Sequence, residues 1–186
     1  MKARAGGVVV ALLCLPGALP AAPPIPAERL TKETYISPDG AFTLALPPLA
    51  GPGSKIEERR VGPAAYGVFL DDETGVVYYV LRSDNSAAKA TLEQMTSGIR
   101  TEGPVREKKR IRNGGREEVR IAAISETQAG LVVATSLFLQ GAAAYEVTAG
   151  VTARHGEPEP ELIERAGKNL EAFLKGLKIK EQETPP

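Results

Sequence analysis

The chain is short of the side chains that most site chemistry requires. Among 186 residues there is one cysteine, Cys14, one histidine, His155, and no tryptophan. A single thiol cannot close an intramolecular disulfide or build a thiolate metal site. A lone histidine leaves a zinc site or a histidine-based triad without further nitrogen or sulfur ligands or a partnered nucleophile. His155, followed by Gly156, reads instead as an exposed loop residue. No Gly-x-Ser-x-Gly elbow accompanies the serines, which disfavours a serine hydrolase. Excess charge is lacking too, since 23 Lys and Arg balance 23 Asp and Glu. Such a chain has no global electrostatic footprint for nucleic acid, and its cations are not interleaved with the aromatic residues that stack single strands.

Long apolar runs are also missing. The one run of note, residues 8–15, follows Lys2 and Arg4 and precedes Ala18-Leu19-Pro20-Ala21-Ala22. A basic start, a short apolar stretch and a small-residue exit spell a secretory signal peptide, too short for a permanent bilayer anchor. Residues 1–21 form this leader, because a cut after Ala21 leaves Ala22 first, whereas a cut after Ala22 would leave Pro23. Leu19 is larger than the residue preferred at that distance from the cut. Lipoprotein processing at Cys14 would want a small residue before it and finds Leu13. Cys14 is then a small hydrophobe of the leader. The expected address is exported, periplasmic or extracellular.

The remaining chain of roughly 165 residues fits one domain, which buries about two-thirds of the surface its unfolded form exposes. Residues 22–32 read as a proline-rich tether, 33–180 as a single α+β domain and 181–186 as a disordered tail. Ser37-Pro38-Asp39-Gly40 is a turn, with proline presetting φ and glycine supplying the left-handed position. It feeds a strand in which Phe42, Leu44 and Leu46 share a face, stopped by Pro47-Pro48. Residues 49–55 read as a loop. Residues 64–70 and 76–82 alternate as a hairpin. The period then lengthens, and Leu92, Met95, Thr96 and Ile99 predict a crossover helix over 87–100, with Asn85 or Ser86 as N-cap and Gly103-Pro104 as its stop.

From 105 onward the pattern is a four-strand meander over 105–112, 116–125, 131–140 and 143–152, with Asn113-Gly114-Gly115 as a strong hairpin turn. The stretch 131–140 is apolar on both faces and demands cover on both. A second helix beginning near Pro160 supplies some, through a stripe that includes Leu162, Ala166, Leu170 and Phe173. Glu161 with Arg165, Glu164 with Lys168 and Glu171 with Lys175 stand at favourable i,i+4 spacing. Gly176 is placed to cap the helix, and residues 177–179 to add a short strand.

The order Tyr35-x-Ser37-Pro38-Asp39-Gly40-x-Phe42-x-Leu44-x-Leu46-Pro47, then hairpin, crossover helix, long antiparallel strands and a helix ending Phe173-Leu174-x-Gly176-Leu177, resembles the PsbP-like superfamily, which includes DcrB-like proteins. The resemblance implies an α/β/α sandwich: an antiparallel sheet of about six to eight strands flanked by helices. It also implies a scaffold that binds or helps assemble other proteins, with no shared catalytic site and no cofactor.

Three charged groups stand out as candidate sites. Asp71, Asp72 and Glu73 could meet a hard cation, but lack the alternating ligands of a calcium loop and suit a hairpin tip. Glu157, Glu159 and Glu161 suit the positive end of a helix dipole. Arg106, Lys108, Arg110 and Arg112 alternate along one strand, with Lys109, Arg116 and Arg120 nearby. That basic stripe could meet an anionic headgroup, an anionic polymer or an acidic protein surface. The plainer reading, which the pattern favours, is that the charges defend an exposed sheet edge from pairing with another chain. The sequence thus points to an exported, non-catalytic binding or assembly factor of the cell envelope. The alternatives are a peripheral envelope or membrane-surface component using the hairpin 105–120, and an enzyme whose site the sequence does not display.

Overall fold

Turn chemistry and period-two alternation lay down most of the chain as strand. The computed structural model describes residues 24–47, 55–62, 65–71, 76–86, 89–97, 103–126 and 128–180. The stretch read as a leader, with Cys14, the residues Asp72 and Glu73, and the stretch 181–186 read as a tail lie outside the described residues. Strands β1 (Thr34–Ile36) and β2 (Phe42–Ala45) flank the first turn. There Gly40 takes φ +66°, and Asp39 Oδ1 accepts from the Ser37 hydroxyl at 2.9 Å and the Ala41 N–H at 3.0 Å. The order continues β3 (Lys55–Gly62), β4 (Ala65–Asp71), β5 (Val76–Asp84), α1 (Leu92–Ser97), β6 (Val105–Asn113), β7 (Arg116–Ile124), β8 (Leu131–Gln140), β9 (Ala143–Thr152), α2 (Glu159–Gly176) and β10 (Leu177–Ile179).

Two antiparallel sheets result. The large one runs β3-β4-β5-β9-β8-β7-β6, and the small one β1-β2-β10. The meander from β6 to β9 is as the alternation predicts, and the α1 segment carries the chain from β5 across to the far edge. The large sheet is the expected antiparallel sheet of about six to eight strands, and beside it β2 pairs with β1 and β10 in a second, smaller one. The fold is α+β, with α2 and α1 on opposite faces of the large sheet.

The face under α2 and the small sheet carries the main core: Val80, Val132, Phe138, Tyr145 and Val147 of the sheet meet Leu162, Ala166, Leu170 and Phe173 of α2 and Tyr35, Phe42 and Leu44 of the small sheet. Ring contacts tie these layers, Phe42 meeting Tyr145 edge-on with centroids 6.3 Å apart and Tyr78 meeting Phe173 at a tilt with centroids 4.8 Å apart. On the other face Leu92 of α1 packs with Val119, Ile121 and Leu137 in a smaller cluster.

Several expectations are corrected. β3 was not anticipated: Glu57, Glu58 and Arg59 fill it with charge and no apolar period marks it. Its start, Lys55, falls in the stretch read as a loop. The crossover helix begins at Leu92, and its N-cap is Thr91, whose hydroxyl accepts from the Gln94 N–H at 3.2 Å while Gln94 Oε1 accepts from the Thr91 N–H at 2.8 Å. This reciprocal pair is a capping box. Asn85 instead pins the approach loop through both polar atoms of Ala90, each at 2.9 Å. Gly176 ends α2 without a left-handed φ. It is needed for proximity, since a Cβ there would stand 3.0 Å from the Ala45 carbonyl oxygen and 3.2 Å from its Cβ. The segment read as a tether is docked from its middle, with Ile25 and Leu30 against the core and the Arg29 carbonyl accepting from the Ile36 N–H at 2.8 Å.

Candidate interaction site

Gly114 and Gly115, at φ +57° and +86°, form a two-residue turn of the mirror-image type that hairpins favour. Such a turn makes the flanking residues, Asn113 and Arg116, a pair that exchanges both backbone hydrogen bonds. Counting back along the ladder, Ile111 and Lys109 also bond to β7, while Arg112, Arg110 and Lys108 turn their N–H and C=O groups outward. Outward is open: β6 is the last strand of the large sheet, and no strand among the described residues pairs with its outer edge. Five cations stand on β6 against the single Glu107.

The four singled-out cations do not share one face. Lys108, Arg110 and Arg112 are exposed on the α1 side of the sheet, as their partners Ile121 and Val119 in the register show. A bulge between Val105 and Glu107 displaces Arg106, whose Nε lies 2.8 Å from Glu159 at the start of α2, on the opposite side. An unbroken two-residue period cannot foresee that bulge. Arg110 meets Glu117 at 3.3 Å, and Lys109 meets Glu107 at 2.8 Å. Among the described residues nothing pairs with Lys108 or Arg112. Val105, 46% exposed, adds an apolar side chain at the strand's start.

Behind this edge stands a buried carboxylate that the sequence reading passed over. Glu118 is fully buried on the α2 side of β7, and its oxygens accept from Arg116 at 2.5 Å and Ser136 at 3.0 Å, with Arg120 Nε at 3.5 Å. Arg116 also lies over the Phe138 ring at 3.7 Å, and Arg120 reaches Glu171 of α2 at 2.8 Å. Arg116 and Arg120 are therefore structural cations, held inward, and are not part of the exposed stripe. Hence Glu171 pairs across elements and not with Lys175. Arg165 likewise grips Glu157 at 2.7 and 2.8 Å in place of Glu161, whereas the Glu164–Lys168 pair forms at 2.7 Å. The Arg165 guanidinium, helped by the Arg154 N–H, holds the Glu157 carboxyl down at about 2.

Two further polar groups were invisible as sequence. Arg29 clasps Glu58 of β3 with two bonds of 2.8 Å while the Tyr35 hydroxyl donates to the same carboxylate at 2.6 Å. The Arg29 bond holds the Glu58 carboxyl below its usual range. On the α1 side, Glu146 of β9 is 4% exposed and accepts from the Tyr79 hydroxyl, beside the bonded hydroxyls of Thr135 and Thr148 at 2.9 Å. Burial pushes the Glu146 carboxyl up to about 7, and burial followed by the Glu146 charge pushes the Tyr79 phenol well up. Residues 79 and 146 are far apart in sequence, and only the pairing of β5 with β9 brings them together.

His155 is exposed in the turn before α2, where Gly156 takes φ +74°. Asp71 ends β4. Among the described residues no group of three or more His, Cys, Asp or Glu is placed to hold a metal, and no helix is long and apolar enough to cross a membrane.

No family model matches the chain, and no curated protein matches its sequence. Among solved structures it is similar to the cyanobacterial PsbP of Synechocystis, with TM-score 0.49 and 10% identity over 79% of this chain and 91% of that one. It is also similar to a Bacteroides thetaiotaomicron protein, with TM-score 0.41 and 14% identity over 84% of this chain, and spans 52% of that protein's length. A Pseudomonas aeruginosa protein of unknown function is similar with TM-score 0.41 and 15% identity over 81% of this chain and 97% of that one. A PsbP thus stands among the similar structures.

Proposed function

We propose that the chain is an exported, non-catalytic binding or assembly factor of the cell envelope, which engages an envelope protein or another anionic surface through β6. The observation that carries this reading is the edge itself: Lys108, Arg110 and Arg112 are exposed on the last strand of the large sheet, and Lys108 and Arg112 have no acidic partner among the described residues. Unmatched cations on an open edge repel a chance strand and at the same time offer an anionic partner a concentrated positive field. The leader read from residues 1–21 supports the export. Crosslinking in intact cells, followed by capture of this protein, tests the reading. The wild type should bring down a discrete partner that Lys108→Glu/Arg110→Glu/Arg112→Glu fails to bring down while remaining folded. Identical captures by the two proteins would refute it.

Val105 favours a second reading. An exposed valine beside a row of cations suits the boundary between headgroups and acyl chains, which would make the protein a peripheral component of a membrane surface. Salt-sensitive sedimentation with anionic vesicles, lost in the same triple variant, would select this reading over a protein partner.

A further inference from the structure

We propose that β6 accepts an added antiparallel strand from a partner segment that carries Asp or Glu at every second position. This deepens the reading of β6 as the recruiting edge and rests on it. The geometry points to it because two properties coincide on the same three residues. Lys108, Arg110 and Arg112 are the positions whose backbone N–H and C=O groups the hairpin register leaves facing outward, and they are also the positions whose cationic side chains stand exposed on the α1 side. A strand laid along that edge would place its own hydrogen-bonding residues directly opposite them, with side chains on the same side and Cβ atoms about 5 Å away. Acidic residues in those places would be read by charge and by backbone at once. The intervening residues of the added strand would fall on the other side, beside Lys109, its partner Glu107 and the half-buried Ile111, where an uncharged side chain fits. Antiparallel addition continues the pattern of every pairing in the sheet.

Charge complementarity also decides against a second copy of this chain. β6 against β6 would set cation rows side by side. The other edge of the large sheet, β3, has two glutamates, but Glu58 is held by Arg29 and Glu57 by Arg59. The occupant is therefore an acidic extended segment of another protein. An edge that selects by main-chain bonds and alternate side chains is an established mode of peptide recognition.

Fluorescence anisotropy of labelled octapeptides with the purified protein tests this. The probes are a peptide alternating Glu with Thr, one of the same composition with its four Glu together, and two N-methylated forms of the first, methylated on the Glu amides or on the Thr amides. The alternating peptide and its Thr-methylated form should bind alike. Glu-methylation should weaken binding about tenfold or more, because the amides facing β6 are lost, and the clustered peptide should bind more weakly than the alternating one. Equal binding by all four probes would overturn strand addition and leave charge alone. So would binding of phosphatidylglycerol vesicles with no measurable binding of any peptide. If the peptides fail while the triple Glu variant still loses its partner in cells, strand addition falls and recruitment by β6 stands. If the variant also keeps its partner, both fall.

Discussion

Replacing Glu146 by Gln should change how the fold responds to pH. The carboxyl sits on β9 between Leu81 and Leu137 in the register, nearly sealed from water, with the Tyr79 hydroxyl donating to it and the hydroxyls of Thr135 and Thr148 beside it. Burial raises its pKa to about 7 in the folded state, against an ordinary 4.5. The folded protein thus holds this proton more tightly than the unfolded chain does. The associated stability is complete below the unfolded value and is lost as pH rises through the folded one. At about 1.36 kcal/mol for each pH unit between the two values, the loss is roughly 3 kcal/mol between pH 4.5 and pH 7. Glutamine keeps an oxygen for the Tyr79 hydroxyl, carries no charge, and adds one amide donor whose burial costs about 1 kcal/mol. Glu146→Gln should therefore flatten the stability profile across this window and gain about 2 kcal/mol at pH 8. Glu58 and Glu157, whose carboxyls are lowered, act oppositely and in a different range: their stabilisation is present above the ordinary carboxylate value and disappears as pH falls below it. Urea unfolding followed by far-ultraviolet circular dichroism, which needs no tryptophan, measures this at several pH values. A variant with the wild-type pH slope, or one destabilised at pH 8, would refute the account of Glu146.

Phe173→Ala removes a buried ring that packs at a tilt against Tyr78, centroids 4.8 Å apart, between α2 and the sheet. It should cost about 3–5 kcal/mol, or a fall of roughly 6–20 °C in Tm; an unchanged melt would mean that α2 does not dock this way. Replacing Lys108, Arg110 and Arg112 by Thr should promote aggregation detectable by light scattering, since a neutral edge accepts other chains, whereas a monodisperse variant would show that the charges do not guard the edge. Intact mass of the exported protein should place its first residue at Ala22 without lipid, and a lipid-modified Cys14 would contradict the leader as read.

Strands that bury one face announce themselves by alternation, and those apolar on both faces by length, so β8 and β9 have the limits that the sequence predicts. β3 escapes because an edge strand crossed by Glu57, Glu58 and Arg59 has no apolar period to read. The helix α2 is legible from its stripe, but two of its ion pairs are not: Arg165 takes Glu157 from the turn before the helix, and Glu171 takes Arg120 of β7, which tertiary packing brings near. The candidate site shows the same division. The basic run on β6 and its turn could be read directly, and so could the risk of an open edge. A bulge reverses the side-chain direction of Arg106 without a sequence mark, and the inward turn of Arg116 and Arg120 follows from the buried Glu118, which both cations meet together with Ser136 of β8, while Arg120 also reaches Glu171 of α2.

The central claim is that β6 holds this protein to an anionic partner. Its most direct test is the fraction of the protein retained on washed cell envelopes as salt is raised, compared between wild type and Lys108→Glu/Arg110→Glu/Arg112→Glu. Exposed charges are screened beyond about 8 Å at physiological ionic strength, so wild-type retention should fall steeply with added salt, and the folded triple variant should be released even at low salt. Equal, salt-insensitive retention of both proteins would contradict the claim and leave the cations of β6 as guards of an open edge.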